Sequence, residues 1–372
     1  MSKRIIVSVI NDLNTDQRVH KMCLFMQQQG YEVLLVGRKK SDSLPMENRP
    51  YSTHRMRLLF EKGALFYAAF NLRLFFLLLF RKADKLVSND LDTLLANYLV
   101  SKIRRIPLVY DTHEYFTEVP ELINRPRVQK VWLRIERWIF PQLKHVITVN
   151  QSISDRYFER YGIRAVVVRN ISPKITIDSP ASKEALHLPL NTPLLIMQGA
   201  GLNVDRGVEE AINAMHFIDS AKLIIVGDGD IIPQMKEKVI HEELTDKVLF
   251  YGKRPYKELM QFTHHATIGL SFDQPTNPNY LYSLPNKIFD YIHTQTPILC
   301  SNVVEVKKIV EQYAIGKVVA SFEAKALAAE ILTILNNQEQ LDQWRKNCIF
   351  ASEQEQWDKE VTRLAEFYPT VN

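Results

Sequence analysis

YLYSLPNKIFDYIHTQTPILC, residues 280–300, runs from a polar loop into an amphipathic helix and then into an apolar strand. This order is typical of a parallel α/β sheet whose faces are covered by helices. The loop would present the backbone N–H groups of Ser283 and Leu284 at the start of the helix. Lys287 adds a cation, and Asp290 follows one turn later on the same face. The segment suits a diphosphate beside the hydroxyls of a nucleotide sugar; the alternative is that Ser283 only caps a core helix.

Short apolar runs alternate with helical stretches along the whole chain. The predicted strands cover residues 4–10, 32–36, 85–87, 108–110, 146–149, 166–168, 194–198, 222–226, 248–251, 268–271, 297–301 and about 317–320. This alternation predicts two doubly wound, Rossmann-like α/β domains with parallel sheets. We place the first domain at residues 1–172 and the second at 173–349. A polar C-terminal helix, 350–372, is expected to return toward the first domain, with Trp344, Phe350 and Trp357 as anchors of the tail. Ligands are expected at the carboxyl ends of the strands, in a cleft.

The composition is that of a globular protein: 46% of the 372 residues are hydrophobic and 24% are charged. Three scattered cysteines are too few for a disulfide framework or a metal cluster, which favours a reducing, cytoplasmic compartment. The apolar run of MSKRIIVSVINDL breaks at Asn11 and Asp12, too early for a signal peptide.

Charge is distributed unevenly between the two halves. Residues 1–170 hold 28 Lys and Arg against 16 Asp and Glu, a net charge of +12, whereas the remainder carries −7. The same half contains residues 63–80, GALFYAAFNLRLFFLLLF, which are marginal in length for a bilayer span and are interrupted by Arg73. We expect a helix that lies against the core, with contact to an anionic membrane surface as the alternative. Nucleic acid is not expected, because no aromatic residues cluster between basic ones.

Polar side chains follow the predicted strands at their carboxyl ends. The loop after the first strand contains no glycine, so it lacks the G-x-G-x-x-G pattern and disfavours a nicotinamide or flavin cofactor. His113 and Glu114 follow the strand at 108–110, where a capping role is the alternative to a functional one. The candidate acceptor-side residues of this half are Asn11, Asp12, Asp16, Arg18 and Glu114.

The second half has a glycine-bearing loop, GAGLNVDRG, directly after the strand at 194–198. Gly199 and Gly201 would let the backbone approach a ligand, and Arg206 can bind a diphosphate with two parallel hydrogen bonds. Gly227 opens the run GDGD after the next strand, which suits a ribose or base edge but is more often a plain turn.

In this order and spacing, the segments resemble the family 4, or group 1, retaining glycosyltransferases of GT-B fold. The resemblance covers essentially the whole chain. It is carried by TDQRVHKMCLFMQQQGYEVLLVGR, NDLDTLLANYLVSKIRRIPLVYDTHEYFTEVPEL, ITVNQSISDRYFERYG, VVRN, GAGLNVDRGVEEAINAM, LIIVGDGD and YSLPNKIFDYIHTQTPIL. It implies transfer of a sugar from a nucleotide diphosphate sugar to an acceptor hydroxyl, with retained configuration and without a metal. The first domain would bind the acceptor and the second the donor.

By this resemblance, His113, Arg206 and Lys287 are the candidate catalytic residues. Arg206 would face the donor pyrophosphate with help from Lys287, Asp290 would contact the ribose, and His113 would reach the transferred sugar. The predicted donor-binding set is Gly199, Gly201, Arg206, Gly227, Tyr282, Ser283, Leu284, Lys287 and Asp290. Two positions depart from the family pattern, since Tyr282 replaces its first glutamate and Ala200 replaces a basic residue.

The acceptor is expected to be a glycan or lipid-linked glycan of cell-surface polysaccharide synthesis. The protein would then be cytoplasmic or peripheral on the inner face of the membrane. The alternatives are a nucleotide-sugar epimerase of the same fold and a non-catalytic nucleotide-sugar-binding partner in a glycan-assembly complex. Asp90 and Asp92 form an Asp-x-Asp pair, but no metal site and no cofactor are expected. The acceptor proton would pass to a donor phosphate oxygen, or to Asp12 or Asp16.

Overall fold

The structure is a computed structural model that describes residues 3–14, 16–41, 43, 45–46, 48–175, 177 and 179–371. The chain forms two compact units. The first comprises Met1–Arg169 together with Val361–Asn372, and the second comprises Asn170–Glu360.

The first unit is a seven-stranded parallel sheet with the order β3-β2-β1-β4-β5-β6-β7. Its elements are β1 (Arg4–Asp12), α1 (Gln17–Gln28), β2 (Glu32–Lys39), β3 (Ser52–Arg57), α2 (Gly63–Phe80), β4 (Lys85–Asn89), α3 (Leu91–Arg104), β5 (Leu108–Thr112), α4 (Pro120–Ile123), α5 (Pro126–Ile139), β6 (His145–Thr148), α6 (Gln151–Tyr161) and β7 (Val166–Val167). Strands β1, β4 and β5 are buried along most of their length, as in a sheet covered on both faces. The strand order reverses between β1 and β4, so polar residues that follow these strands gather at a crevice.

The second unit is a six-stranded parallel sheet with the order β10-β9-β8-β11-β12-β13. Its elements are β8 (Leu194–Gly199), α7 (Val208–Ala214), β9 (Lys222–Gly227), α8 (Ile232–His241), β10 (Val248–Phe250), α9 (Tyr256–His264), β11 (Ile268–Ser271), α10 (Pro278–Leu281), α11 (Lys287–His293), β12 (Ile298–Cys300), α12 (Val304–Tyr313), β13 (Gly316–Val318), α13 (Ala324–Leu335), α14 (Gln338–Gln354) and α15 (Trp357–Glu360). The corresponding reversal lies between β8 and β11, which places the loops after these two strands side by side.

The end of the chain packs on the first unit, but not as one helix. Helix α14 ends at Gln354, and Val361–Glu366 form a 3₁₀ helix. The Val371 N–H donates to Gln29 O at 2.8 Å, and the Tyr31 hydroxyl donates to Pro369 O at 2.9 Å. Tyr368 is fully buried there.

The expected anchors of the tail are only partly confirmed. Trp344 and Trp357 are buried, but Phe350 is 59% exposed, so the prediction for Phe350 is wrong. Phe350 stands two positions after the buried Cys348 of α14, and that spacing turns it away from the buried face.

Helix α2 confirms the expected packing against the core along one face only. Phe66, Phe70, Leu74 and Leu78 are buried at the helical spacing of four residues. The helix is nevertheless long and apolar enough to cross a membrane, and only 22% of it is buried.

Candidate functional site

Two glycine contacts fix the loops at the carboxyl edge of the second sheet. Gly207 has a φ of +81°, and a Cβ there would lie 2.2 Å from the Phe272 Cβ. Gly227 has a φ of +148°, and its Cβ would lie 1.9 Å from the Gly199 carbonyl oxygen. Any larger residue would force these segments apart. The loop after β8 is thereby held against the segment that follows β11, which brings Arg206 beside the end of β11.

Arg206 and Lys287 share one carboxylate, that of Asp273. Arg206 Nη1 lies 3.4 Å from Asp273 Oδ1, and Lys287 Nζ lies 3.9 Å from the same oxygen. The Arg206 guanidinium also stacks over the Tyr280 ring at 3.9 Å. The structure thus brings together two of the predicted diphosphate contacts, which are 81 positions apart in the sequence, at the end of β11.

Asp273 is a candidate site residue that the sequence analysis did not single out. It is 1% exposed, and both of its side-chain oxygens lack a hydrogen-bond partner among the described residues. A buried charge is costly unless it is paired, so Asp273 depends on the two cations beside it. One signal was available: Asp273 stands just after a predicted strand end, as do the other polar candidates.

Burial lowers the pKa of Lys287, and the neighbouring Arg206 lowers it further, whereas Asp273 raises it. The carboxylate therefore helps to keep Lys287 protonated in the unliganded protein. An anion bound to Arg206 and Lys287 would also help to keep Lys287 protonated. The arrangement is suited to binding a ligand with several negative charges.

Asp290 lies on α11, one turn after Lys287, as predicted from the sequence. It is almost fully buried, and its carboxylate accepts hydrogen bonds from Gln198 Nε2 at 2.9 Å and from the Tyr256 hydroxyl at 2.8 Å. These bonds fix the carboxylate against the ends of β8 and α9. A carboxylate has about four acceptor positions, so a ribose hydroxyl remains chemically compatible with it.

The loop before α11 differs from the sequence-based picture. The N-cap of α11 is Asn286, not Ser283, and the Ser283 N–H donates to Tyr280 O at 3.1 Å. Within the described part of the chain, the Leu284 N–H and the buried Ser283 hydroxyl have no hydrogen-bond partner. The Leu284 N–H and the Ser283 hydroxyl are therefore two donors that this loop can offer a ligand. Tyr282 stands between them and α10, as its C-cap.

Gly201 has open space around it, since a Cβ there would meet nothing within 4 Å. The GDGD turn after β9 packs on the same loop, because the Leu202 N–H donates to Asp228 O at 3.0 Å. Gly199, Gly201 and Gly227 thus all lie at this edge of the sheet.

In the first unit, His113 is enclosed by carboxylates at the ends of β4 and β5. Its Nδ1 lies 3.4 Å from Asp90 Oδ2, and its Nε2 lies 3.4 Å from Asp111 Oδ2. The His113 N–H donates to Asp90 Oδ1 at 2.8 Å, which fixes the backbone as well. Asp90 itself has a φ of +58°, a strained value for a residue other than glycine.

Burial disfavours the charged form of His113, but Asp90 and Asp111 outweigh it and raise the His113 pKa to about 9. Burial likewise acts to raise the Asp111 pKa, yet Arg18 and His113 bring it down to about 2. At neutral pH the cluster therefore contains an imidazolium, a guanidinium and ionised Asp111. His113 is a hydrogen-bond donor at both ring nitrogens in this state.

The predicted acceptor-side residues serve mainly the first unit itself. Arg18 is 3% exposed and binds Asp111 Oδ1 and Val168 O, each at 2.8 Å. Asp16 is the N-cap of α1 and also accepts from Asn11 Nδ2 at 3.1 Å. Arg18, Asn11 and Asp16 thus have structural partners that the sequence pattern did not reveal.

Asp12 and Glu114 complete this edge of the first sheet. The Asp12 carboxylate accepts from the Ser43 hydroxyl and lies 3.5 Å from Arg55 Nη1. Partial burial acts to raise its pKa, but the hydrogen bonds from Ser43 and Asn14 and the charge of Arg55 lower it overall. The Glu114 side chain is exposed.

Asp90 is the N-cap of α3, and Asp92 lies in the first turn of that helix. Burial raises the pKa of both carboxyl groups. Across residues 3–371, apart from the short gaps named above, no three His, Cys, Asp or Glu side chains are grouped to hold a metal ion.

Parallel sheets of seven and six strands with polar residues at their carboxyl edges are the architecture of a glycosyltransferase of GT-B fold. The chain belongs to the family 4, or group 1, glycosyltransferases. The family model "Glycosyltransferase Family 4" matches residues 16–173, and the model "Glycosyl transferases group 1" matches residues 178–349.

Individual relatives are distant. The amylovoran biosynthesis glycosyltransferase AmsK of Erwinia amylovora is 24% identical over 156 residues, which are 41% of this chain but only 37% of that protein. The fold is similar to that of sucrose-phosphate synthase from Thermosynechococcus elongatus, with a TM-score of 0.77, 18% identity and coverage of 98% of both chains. It is also similar to Anabaena HepE in complex with UDP and glucose, with a TM-score of 0.74, 17% identity and complete coverage of both chains.

Proposed function

We propose that this glycosyltransferase transfers a sugar from a nucleotide diphosphate sugar to an acceptor hydroxyl, with retained anomeric configuration and without a metal ion. The observation that carries the proposal is the pairing of Arg206 and Lys287 on the buried carboxylate of Asp273. By its resemblance to the family, this pair would face the donor pyrophosphate. The HepE complex with UDP makes uridine nucleotides the first to test.

The charge that develops during transfer defines the role of the two cations. When the bond between the sugar and the β-phosphate breaks, negative charge grows on the departing phosphate. Arg206 and Lys287 stabilise that charge in place of a metal, and the Leu284 N–H and the Ser283 hydroxyl supply further donors. Loss of one such donor in comparable sites costs about 3 to 4 kcal/mol in the transition state.

The acceptor proton needs a base, and the first loop offers poor ones. The Asp12 carboxylate is occupied by Ser43 and Asn14, and Asp16 caps α1. We therefore assign the proton to an oxygen of the departing phosphate. The acceptor oxygen bonds to the anomeric carbon on the face that the phosphate leaves, which retains the configuration.

His113 provides a charged donor in the first unit. Its pKa of about 9 keeps it protonated at neutral pH, and Asp90 and Asp111 hold both its backbone and its ring. In this state it cannot act as a general base, and its positive charge can stabilise an electron-rich sugar oxygen nearby.

The proposal for the acceptor class rests on a related protein rather than on the geometry of the site. A relative acts in the biosynthesis of amylovoran, according to its name. We propose a glycan or lipid-linked glycan as the acceptor, in cell-surface polysaccharide synthesis on the cytoplasmic side of the membrane.

The test is an assay with UDP-glucose, UDP-galactose, UDP-N-acetylglucosamine and GDP-mannose, in the presence of EDTA. Chromatography would detect nucleoside diphosphate release, and proton NMR would report the anomeric configuration of the product. We expect one donor to be consumed and its configuration kept. Arg206→Ala should lose about a hundredfold or more in rate, as for other transition-state donors, while the surface control Arg345→Ala should not. An inverted product, or activity that EDTA abolishes, would contradict the proposal.

A further inference from the structure

Helix α2 carries an exposed apolar stripe opposite its buried face. Leu65, Leu72, Phe76 and Phe80 are 61%, 60%, 49% and 79% exposed. Ala68 is exposed on the same line, so the stripe follows the helical repeat from one end of α2 to the other. At 1.5 Å per residue it is roughly 22 Å long. Leu59, in the segment before the helix, is 87% exposed.

Helix α5 lies on the same face of the first sheet as α2. Helices α2, α3 and α5 lead into β4, β5 and β6, so the chain moves across the sheet in the same direction at each of these connections. Because such crossovers are right-handed, the three helices lie on one face of the sheet. The ring of Tyr67 on α2 contacts that of Trp132 on α5, with centroids 5.2 Å apart.

The exposed side of α5 is cationic. Arg127, Lys130, Arg134 and Arg137 all face solvent, whereas Glu136, its one acidic residue, is buried. Val131 and Trp138 are exposed among these cations, 55% and 51% respectively. Basic residues interspersed with apolar ones on one helix face are typical of helices that lie in a membrane interface.

The apolar stripe and the cationic stripe together fit an anionic lipid surface better than a second copy of the chain. Two copies joined symmetrically through this face would bring their cationic helices toward each other. A lipid bilayer offers apolar chains for Leu72 and Phe76 and negative headgroups for Arg127 and Lys130. Arg73, at the edge of the stripe on α2, disfavours a buried transmembrane position for this helix.

We propose that the outer faces of α2 and α5 form a membrane-docking surface that binds anionic phospholipid bilayers peripherally. The orientation places both helices parallel to the membrane plane, with the large α2 residues in the interface and the α5 cations at the headgroups. The surface lies within the first unit and is independent of the donor-binding residues. Its test therefore needs neither donor nor acceptor.

The experiment is co-sedimentation of the intact protein with vesicles of phosphatidylcholine, with and without phosphatidylglycerol, over a salt series. We expect binding to the anionic vesicles at low salt and release at high salt. Each cation removed should weaken binding roughly fivefold, so Arg127→Gln, Lys130→Gln and Arg134→Gln together should weaken it on the order of a hundredfold. The matched control replaces three exposed lysines of the second unit, Lys253, Lys257 and Lys346, by Gln and should bind as the wild type does.

The apolar stripe is tested by Leu72→Ser with Phe76→Ser. This pair should lower binding at every salt concentration, while Ile240→Ser with Phe350→Ser, exposed apolar residues of the second unit, should leave it unchanged. Unfolding curves of all variants show that the fold is intact. Vesicle binding that neither the three α5 substitutions nor the two α2 substitutions weaken would overturn the proposal. So would a salt-resistant, carbonate-resistant association, which indicates a membrane span, or a dimer that the serine pair dissolves in the absence of vesicles.

Discussion

Replacing Asp273 by Asn tests whether this carboxylate holds two cations that are meant for a ligand. At the observed 3.4 and 3.9 Å, unit charges attract each other by about 4 to 5 kcal/mol at an effective dielectric constant of about 20. These are upper limits, because the variant no longer buries the Asp273 charge. Removing one partner of a buried pair costs about 3 to 5 kcal/mol in other proteins. We expect Asp273→Asn to lower the unfolding free energy of the second unit by about 3 kcal/mol.

The assay is urea unfolding with and without UDP. In the variant, Arg206 and Lys287 lack their counter-charge, and a bound diphosphate supplies one. Saturating UDP should therefore narrow the difference in unfolding free energy between variant and wild type, which by linkage requires that the variant binds UDP more tightly than the wild type does. Adding Lys287→Met should recover part of the lost stability, because it removes a cation without a partner.

The pH dependence has a defined sign. Without Asp273, the pKa of Lys287, already lowered by burial, falls further. The UDP affinity of the variant should thus decline as pH rises, beginning at a lower pH than in the wild type. A loss of unfolding free energy below about 0.5 kcal/mol, typical of a surface change, would show that Asp273 does not hold the two cations. The same conclusion would follow if UDP left the difference in unfolding free energy between the variant and the wild type unchanged.

Three further results are expected. The His113 pKa is raised to about 9, so its stabilisation is complete below the unfolded value of about 6.5 and is lost as pH rises through about 9; urea unfolding across that range should show a decline that His113→Asn lacks. Gly227→Ala should destabilise the second unit strongly because its Cβ would meet Gly199 O at 1.9 Å, whereas Gly201→Ala should be nearly neutral in thermal unfolding. Tyr368→Ala should cost about 3 kcal/mol or more through the cavity it leaves, and proteolysis should then cut the first unit before the second.

The fold was predictable because its strands are buried on both faces. The strand predicted at 268–271 coincides with β11, and those at 194–198 and 222–226 differ from β8 and β9 only at Gly199 and Gly227. These apolar runs report burial directly. Strand β3, STHRMR, was missed because it is a sheet edge in which Met56 is the one buried residue. It pairs through its backbone, and its sequence shows neither alternation nor an apolar run.

The sequence identified several residues of the candidate site but not the residues that they contact. Arg206, Lys287 and Asp290 were found because they belong to a motif or follow a strand. Their partners Asp273, Gln198 and Tyr256 come from other strands and helices, and only the fold places them together. Long-range pairs leave no local pattern, which is why the sequence suggested Arg18 as an acceptor-side residue although its guanidinium is a buried partner of Asp111.

We propose above that Arg206 and Lys287 bind the diphosphate of a nucleotide sugar. Isothermal titration of UDP and of UDP-glucose into the wild type, Arg206→Ala and the surface control Arg345→Ala tests it most directly. We expect saturable binding to the wild type and the control, and a loss of about 1.5 to 3 kcal/mol in the binding free energy of Arg206→Ala, roughly ten- to hundredfold in affinity. Equal binding by all three proteins would rule out this role for Arg206, because the nucleotide would then lie away from its guanidinium.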